Sequence, residues 1–278
     1  ADALLAACVG SLLAEGVKEL VVVENGDASL ARGLLGAAGL DHVEMIETGL
    51  NLGYGPGANR GLAATSAAYV LIANPDLEVH RGALSTLSAA LDANPRWAVV
   101  GPRVLGTDGH PYPSARVFPD PVSGVGHALL GVLFPNNRFT RRYRGSGSAV
   151  ASEVDWVSGA CFLARSDALE EVGGFDEAYF MFAEDMDLCW RLTQAGWSVG
   201  FEPEAVVTHH GGTSRRRHPY AMAFAHHRSA LRFASLSTKG RSRVMLPGAA
   251  LVLGARLLVV WAGTFWSSAM RRARPDAQ

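Results

Sequence analysis

Apolar positions recur along this chain in two alternating rhythms. Residues 1–16, ADALLAACVGSLLAEG, carry them at helical spacing and predict an amphipathic helix. β-Branched runs follow at KELVVVEN (18–25), HVEMIET (42–48), AAYVLIAN (67–74) and WAVVGPRV (97–104), with helical stretches between them. Strands alternating with helices predict right-handed βαβ units feeding a mostly parallel sheet, a Rossmann-like α/β architecture. Ligands of such sheets gather beyond the C-terminal ends of the strands. The least ordinary sequence lies at those ends: ENGD after the first run, NLGYGPGANRG after the second and NPDLE after the third.

From Gly106 to Gly147 the periodicity dissolves into a segment rich in Pro, Gly and Arg, an irregular insert of a length that is usually functional. Order returns at VDWVSGACFLARSDALEEVGGFDE, which reads as two extended runs and a short helix. MFAEDMDLCWRLTQAGW then predicts a helix, SVGFEPEAVVTHH strands, and everything from about Pro219 helix. The pattern divides into a body, residues 1–218, and a helical extension, residues 219–278.

With 278 residues, 49% hydrophobic and 18% charged, the chain can bury a full core, which excludes a disordered or fibrous protein. Cys8, Cys161 and Cys189 are an odd number without metal-like spacing; Cys8 and Cys161 sit in apolar surroundings that predict buried free thiols, and the set reads as a reducing, cytoplasmic compartment. The opening helix lacks the basic flank of a signal peptide. A net charge of -1 hides a division: beyond His210 there are 12 basic residues against one acid, Asp276, and before it 13 basic against 25 acidic. A basic tail of this kind meets a polyanion, anionic lipid or nucleic acid, unless it is only a solvated set of helix faces.

Three places carry candidate chemistry. Asp76 in Asn74-Pro75-Asp76 follows a buried strand that the proline ends, so its carboxylate is displayed on the rim. There it can share a divalent cation with a diphosphate, or it can be an ordinary turn residue. Glu184, Asp185 and Asp187 open a helix, where the macrodipole favours acids and keeps a general base ionised. Asp187 and Arg191, four apart, read as a stabilising pair. His209 and His210 end a strand, as metal ligands or as structural residues. The loop NLGYGPGANRG has the composition of a phosphate cradle but lacks the Lys-Ser/Thr of a P-loop.

The order of these motifs is more specific than any one of them. Asn51, Gly53, Tyr54, Asn59 and Gly61, then Asn74-Pro75-Asp76, Gly173 to Glu177, Glu184 to Arg191, and His209, Gly212 and Ser214 together resemble the family 2 inverting glycosyltransferases of GT-A fold. Within the insert, Asp108 to Arg116 (DGHPYPSAR), His127 to Gly131 and Trp156 to Cys161 resemble the actinobacterial rhamnosyltransferases that act on N-acetylglucosaminyl-diphosphoryl-decaprenol. The resemblance implies a donor half (1–104) and an insert and acceptor half (105–218). It implies donor binding by Glu24, Asn25, Asn51, Gly53, Tyr54, Asn59, Asn74 and Asp76, a divalent metal (Mg²⁺ or Mn²⁺) at Asp76 and His209, and Asp185 with Glu184 at the catalytic position. The implied donor is a nucleotide-sugar, dTDP-L-rhamnose, and the implied acceptor a polyprenyl-diphosphate-linked N-acetylglucosamine of cell-wall synthesis. The family opens on a strand that is expected to be missing here, since residue 1 falls in the following helix.

A lipid-linked acceptor points the basic tail at an anionic membrane surface rather than at nucleic acid, on the cytoplasmic face of the plasma membrane. The apolar stretch Leu246–Met270 is long enough to span, but Arg256 interrupts it, so the expected arrangement is peripheral, an interfacial helix pair. Packing on the enzyme's own core, a homodimer interface and a single span are the alternatives. A UDP-sugar transferase for another glycan and a non-catalytic module of the same fold remain the rival functions; a sugar nucleotidyltransferase would need a Gly-rich signature with an activating Arg and Lys that this chain lacks.

Overall fold

The structure is a computed structural model that describes residues 2–272 except 27, 121, 122, 125, 127–130, 132, 133, 135, 145–149 and 212–217. His127 with most of its motif, Gly212, Ser214, the arginines at 215–217, Arg274 and Asp276 therefore lie outside the described residues.

The predicted alternation is present. Helix α1 (Asp2–Ala14), β1 (Val21–Glu24), α2 (Ala28–Ala37), β2 (Glu44–Glu47), α3 (Tyr54–Leu62), β3 (Tyr69–Ala73), β4 (Leu77–Val79), α4 (Ala83–Ala93) and β5 (Trp97–Leu105) follow in order. The insert contains β6 (Pro111–Tyr112), β7 (Ala115–Arg116) and α5 (Arg138–Arg144). After it come β8 (Ser152–Val154), β9 (Trp156–Val157), β10 (Cys161–Arg165), α6 (Ser166–Glu171), α7 (Glu184–Gln194), β11 (Ser198–His209), α8 (Pro219–Ser237), a 3₁₀ turn (Gly240–Met245) and α9 (Leu246–Arg272).

The α/β class stands, but the sheet is mixed rather than mostly parallel. The main sheet runs β3-β10-β5-β11-β4, with β6 on β5 and β8 on β11. β5 and β11 are parallel, whereas β10 lies antiparallel between β3 and β5. The periodicity of the first half could not reveal this, because β10 arrives from the second half of the chain and inserts between two strands already in line. β1 and β2 form a separate parallel pair, and no strand precedes β1 among the described residues.

β5 is the apolar centre: Trp97 to Val100 and Val104 are almost wholly buried, and Trp97, Val100 and Val104 share a cluster with Leu87 and Leu91 of α4, Leu163 of β10 and Val207 of β11. A strand buried on both faces reads as a continuous apolar run, and WAVVGPRV does so. All three cysteines are buried free thiols.

The chain divides into two compact units. The first comprises Ala1–Phe118, Arg144–Phe180 and Glu184–Gly211; the second comprises Pro119–Tyr143, Met181–Ala183 and Gly212–Gln278. In the second unit α8 and α9 pair: Trp261 Nε1 donates to the Tyr220 carbonyl at 3.2 Å, and the two rings meet edge to face at 6.2 Å. α9 runs unbroken for 27 residues, about 40 Å at helical rise, with Pro247 in its first turn, where the missing N–H costs nothing. Leu251, Leu258, Val259, Phe265 and Trp266 are at least 60% exposed along it. Arg256 lies near enough to His227 of α8 for its charge to act there.

Candidate active site

Asn74 and Asp76 stand just past β3, at the edge where Pro75 can donate no ladder hydrogen bond. The pairing of β4 on β11 sets Leu77 opposite His209, which carries Asp76 to the imidazole. Asp76 Oδ1 is 3.1 Å from His209 Nε2, and Asn74 Nδ2 is 3.2 Å from the same nitrogen. The His210 N–H donates to the Asp76 carbonyl at 3.0 Å. Burial works to raise the Asp76 carboxyl, but the hydrogen bond and charge of His209, with backbone amides, outweigh it and hold the group below its ordinary value.

The second cluster opens α7. Asp185 Oδ2 accepts the Gly159 N–H at 2.8 Å, and Oδ1 accepts that of Met186 at 2.8 Å. The Tyr54 hydroxyl donates to the Gly159 carbonyl, and its ring meets Phe175 edge-on at 5.9 Å. Glu184 is 6% exposed, and its Oε2 is buried with no hydrogen-bond partner among the described residues. Burial, then the neighbouring Asp185 charge, pushes Glu184 up to about 8. Burial also raises Asp185, against the opposing pull of the Gly159 and Met186 amides and the Arg116 charge. Asp187 is structural, as its spacing predicted: it is 1% exposed, with Arg191 Nε at 2.7 Å.

One turn joins the two clusters. Gly159 holds Asp185, while the carbonyl of the adjacent Ala160 accepts the Asn74 N–H at 2.9 Å. The chain enters this turn from β9, which pairs with β7 so that Trp156 opposes Arg116, and the Ser158 N–H donates to the Ser114 carbonyl at 2.8 Å. The PYPSAR segment is thus laid against the strand that presents Gly159 to the carboxylate. Arg116 is stacked between Trp156, at 4.8 Å from guanidinium carbon to ring centroid, and Tyr112, at 5.3 Å.

The remaining candidates line the loop before α3. Asn25 Nδ2 donates to the Gly53 carbonyl at 2.7 Å and its Oδ1 accepts the Leu52 N–H at 2.8 Å; Asn51 Oδ1 accepts the Gly53 N–H at 3.0 Å. The Glu24 carbonyl accepts from Thr48. Tyr54 N–H donates to the Phe180 carbonyl at 2.9 Å. These residues shape one loop that Tyr54 connects to Gly159. Asn59 is engaged elsewhere, its amide bridging the backbone N–H and carbonyl of Phe175 at 2.9 Å each. Gly159, Ala160 and Arg116 are the residues that reasoning from single motifs missed. Their signal was present in WVSGAC and YPSAR, but a small residue in a turn and an arginine in an insert have no chemistry until the fold sets them beside Asp185.

The chain matches the model of the glycosyltransferase-like family 2 over residues 1–230. It is 40% identical over 200 residues to an N-acetylglucosaminyl-diphospho-decaprenol L-rhamnosyltransferase of Mycobacterium tuberculosis, covering 68% of this chain and 65% of that protein. It is 34% identical over 164 residues to a pre-mycofactocin glycosyltransferase of the same species, over 58% of this chain and 31% of the relative. The chain thus spans less than two thirds of either relative's length. Among solved structures, a mannosyltransferase of Pyrobaculum calidifontis in complex with GDP-Man and Mn²⁺ superposes with a TM-score of 0.55 at 15% identity, over 99% of this chain and 78% of that one. With the fold, the ordered motifs and the family model in agreement, this chain belongs to the family 2 glycosyltransferases of GT-A fold.

Proposed function

We propose that this chain is the catalytic part of an inverting rhamnosyltransferase that moves L-rhamnose from dTDP-L-rhamnose onto a polyprenyl-diphosphate-linked N-acetylglucosamine. The observation that carries the reading is the turn at Gly159 and Ala160, which ties Asp185 and the Asn74–Asp76–His209 cluster into one hydrogen-bonded unit. The sugar and acceptor rest on the mycobacterial relative and on the PYPSAR segment beside Asp185.

Asp185 is the general base. The acceptor oxygen attacks the anomeric carbon as the bond from that carbon to the diphosphate breaks; the acceptor proton passes to the Asp185 carboxylate, and the nucleoside diphosphate leaves with the bonding pair. Attack opposite the leaving group inverts the configuration. Its two amide donors fix the Asp185 carboxylate for that task.

Asp76 and His209 suit a divalent cation. A carboxylate oxygen and an imidazole nitrogen already converge within 3.1 Å, and no further His, Cys, Asp or Glu among the described residues completes a closed cage. Mg²⁺ and related ions take one or two protein carboxylates and fill the rest of their shell with phosphate and water. A cation held there would supply Lewis-acid stabilisation of the departing diphosphate.

The second unit attaches the enzyme peripherally to the cytoplasmic face of the membrane. The exposed apolar stripe of α9 and the basic residues flanking it, Lys239, Arg241 and Arg243, support that reading. By length and composition alone α9 is also long and apolar enough to cross a bilayer.

A thermal-shift panel of nucleoside diphosphates and nucleotide-sugars with Mg²⁺ or Mn²⁺ tests the donor. At 100 times its dissociation constant the right donor stabilises by about 2.7 kcal/mol. A larger shift with a UDP-hexose than with dTDP-L-rhamnose would retain the family and reject the rhamnosyl assignment.

A further inference from the structure

Two consecutive acids open α7, close enough for the Asp185 charge to act on Glu184, and the surroundings of their carboxyl groups differ. Asp185 accepts two backbone N–H groups at 2.8 Å each. Glu184 is 6% exposed, and its Oε2, buried from solvent, meets no donor among the described residues. A buried carboxylate with an oxygen left unpaired is far costlier than a buried neutral carboxyl, and a single backbone N–H lowers Glu184 less than burial raises it, so where two adjacent acids share one site the proton settles on the one that the protein solvates less.

Resting on Asp185 as the base, we propose that this acidic pair holds one proton and that Glu184 carries it, a positioning residue whose neutrality leaves Asp185 as the only anion of the pair. The charged and titratable groups around the pair agree with this assignment. The Arg116 charge, fixed by stacking on Trp156 and Tyr112, acts on Asp185 and favours its ionised form. Tyr54 of α3 lies near both acids, and burial together with those acids raises its hydroxyl, so it remains neutral. Cys161 of β10 and Cys189 of α7 are pushed up to about 12 and bring no anion. Glu184 itself, raised to about 8 from 4.5, is the member that titrates late. The two groups titrate as a pair, so the assignment concerns where the single proton resides.

The sign of the consequence follows from linkage. Glu184 is protonated in the folded chain and ionised in the unfolded one between about pH 4.5 and 8, so its contribution to stability is present below that window and is lost as the pH rises through it. Glu184→Gln copies the neutral carboxyl in shape. The melting temperature of the wild-type chain should therefore fall relative to that of Glu184→Gln as pH rises from about 5 to 8. An infrared band of a protonated carboxyl at pH 7 should be present in the wild type, kept in Asp185→Asn and lost in Glu184→Gln. Parallel melting curves, or a band lost in Asp185→Asn and kept in Glu184→Gln, would overturn the assignment. In turnover, Glu184→Gln should retain at least tenfold more activity than Asp185→Asn, and Glu184→Ala should do worse than Glu184→Gln. A folded Glu184→Gln as inactive as Asp185→Asn would overturn it too. High activity in Asp185→Asn would instead defeat the choice of base, an outcome that the melting and infrared measurements, made without turnover, keep separate.

Discussion

At the scale of single residues, function and stability place opposite demands on neighbouring side chains. Asp185→Asn nearly conserves shape and can keep one of the two amide contacts, since its Nδ2 cannot accept an N–H, but it removes the proton acceptor, so turnover should drop by about 10²- to 10⁴-fold with donor affinity retained. Stopped assays and donor titration on the same preparation check both halves of that expectation. Asp76→Ala and His209→Ala should each weaken metal-dependent donor binding, since they remove the two groups that converge at 3.1 Å; titrating a dTDP-sugar with and without EDTA reads the effect. Gly53 shows why one loop residue is fixed: its φ is 100°, a left-handed conformation, and a Cβ there would overlap the Phe180 carbonyl that Tyr54 N–H bonds. Gly53→Ala should therefore cost both stability and the placing of Tyr54 against Gly159.

At the scale of elements, α7 is held in place by a lock behind the end that carries Glu184 and Asp185. Arg191 joins Asp187 at 2.7 Å and donates to the carbonyls of Val172 and Gly174 at 2.7 and 2.8 Å, while Asp187 is 1% exposed. Arg191→Ala would leave that carboxylate buried beside Tyr179 alone, a loss of about 3 kcal/mol in urea unfolding. The exposed pair Arg32 and Glu47 offers the contrast: Arg32→Ala should change stability by less than about 1 kcal/mol. The existence of these elements was legible because each carries its own period or cap signal. The i,i+4 spacing of Asp187 and Arg191 even specified their pairing. The position of β10 was not legible, since nothing within CFLAR states which two strands it will separate.

At the scale of the whole molecule, the charge division and the apolar tail predict behaviour at membranes. The chain should float with anionic vesicles and not with neutral ones, lose that binding at high salt, and lose it on combining Leu258→Glu with Phe265→Glu, which charges the exposed stripe of α9. Each basic residue near the surface contributes about 1 kcal/mol. Binding that resists both salt and alkaline carbonate would reveal a span and reject the peripheral arrangement. Along its length the sequence by itself determined the α/β class, the free thiols, the helical tail and the family, because periodicity, turn residues and ordered motifs are local properties of a chain. Only the tertiary structure decided that the sheet is mixed, that Gly159 and Ala160 tie Asp185 to Asn74 and so to Asp76 and His209, and that Arg116 of the insert acts on Asp185. Those relations join residues such as Asn74 and Ala160, or Arg116 and Asp185, across long stretches of chain, and only packing and strand register can bring them together.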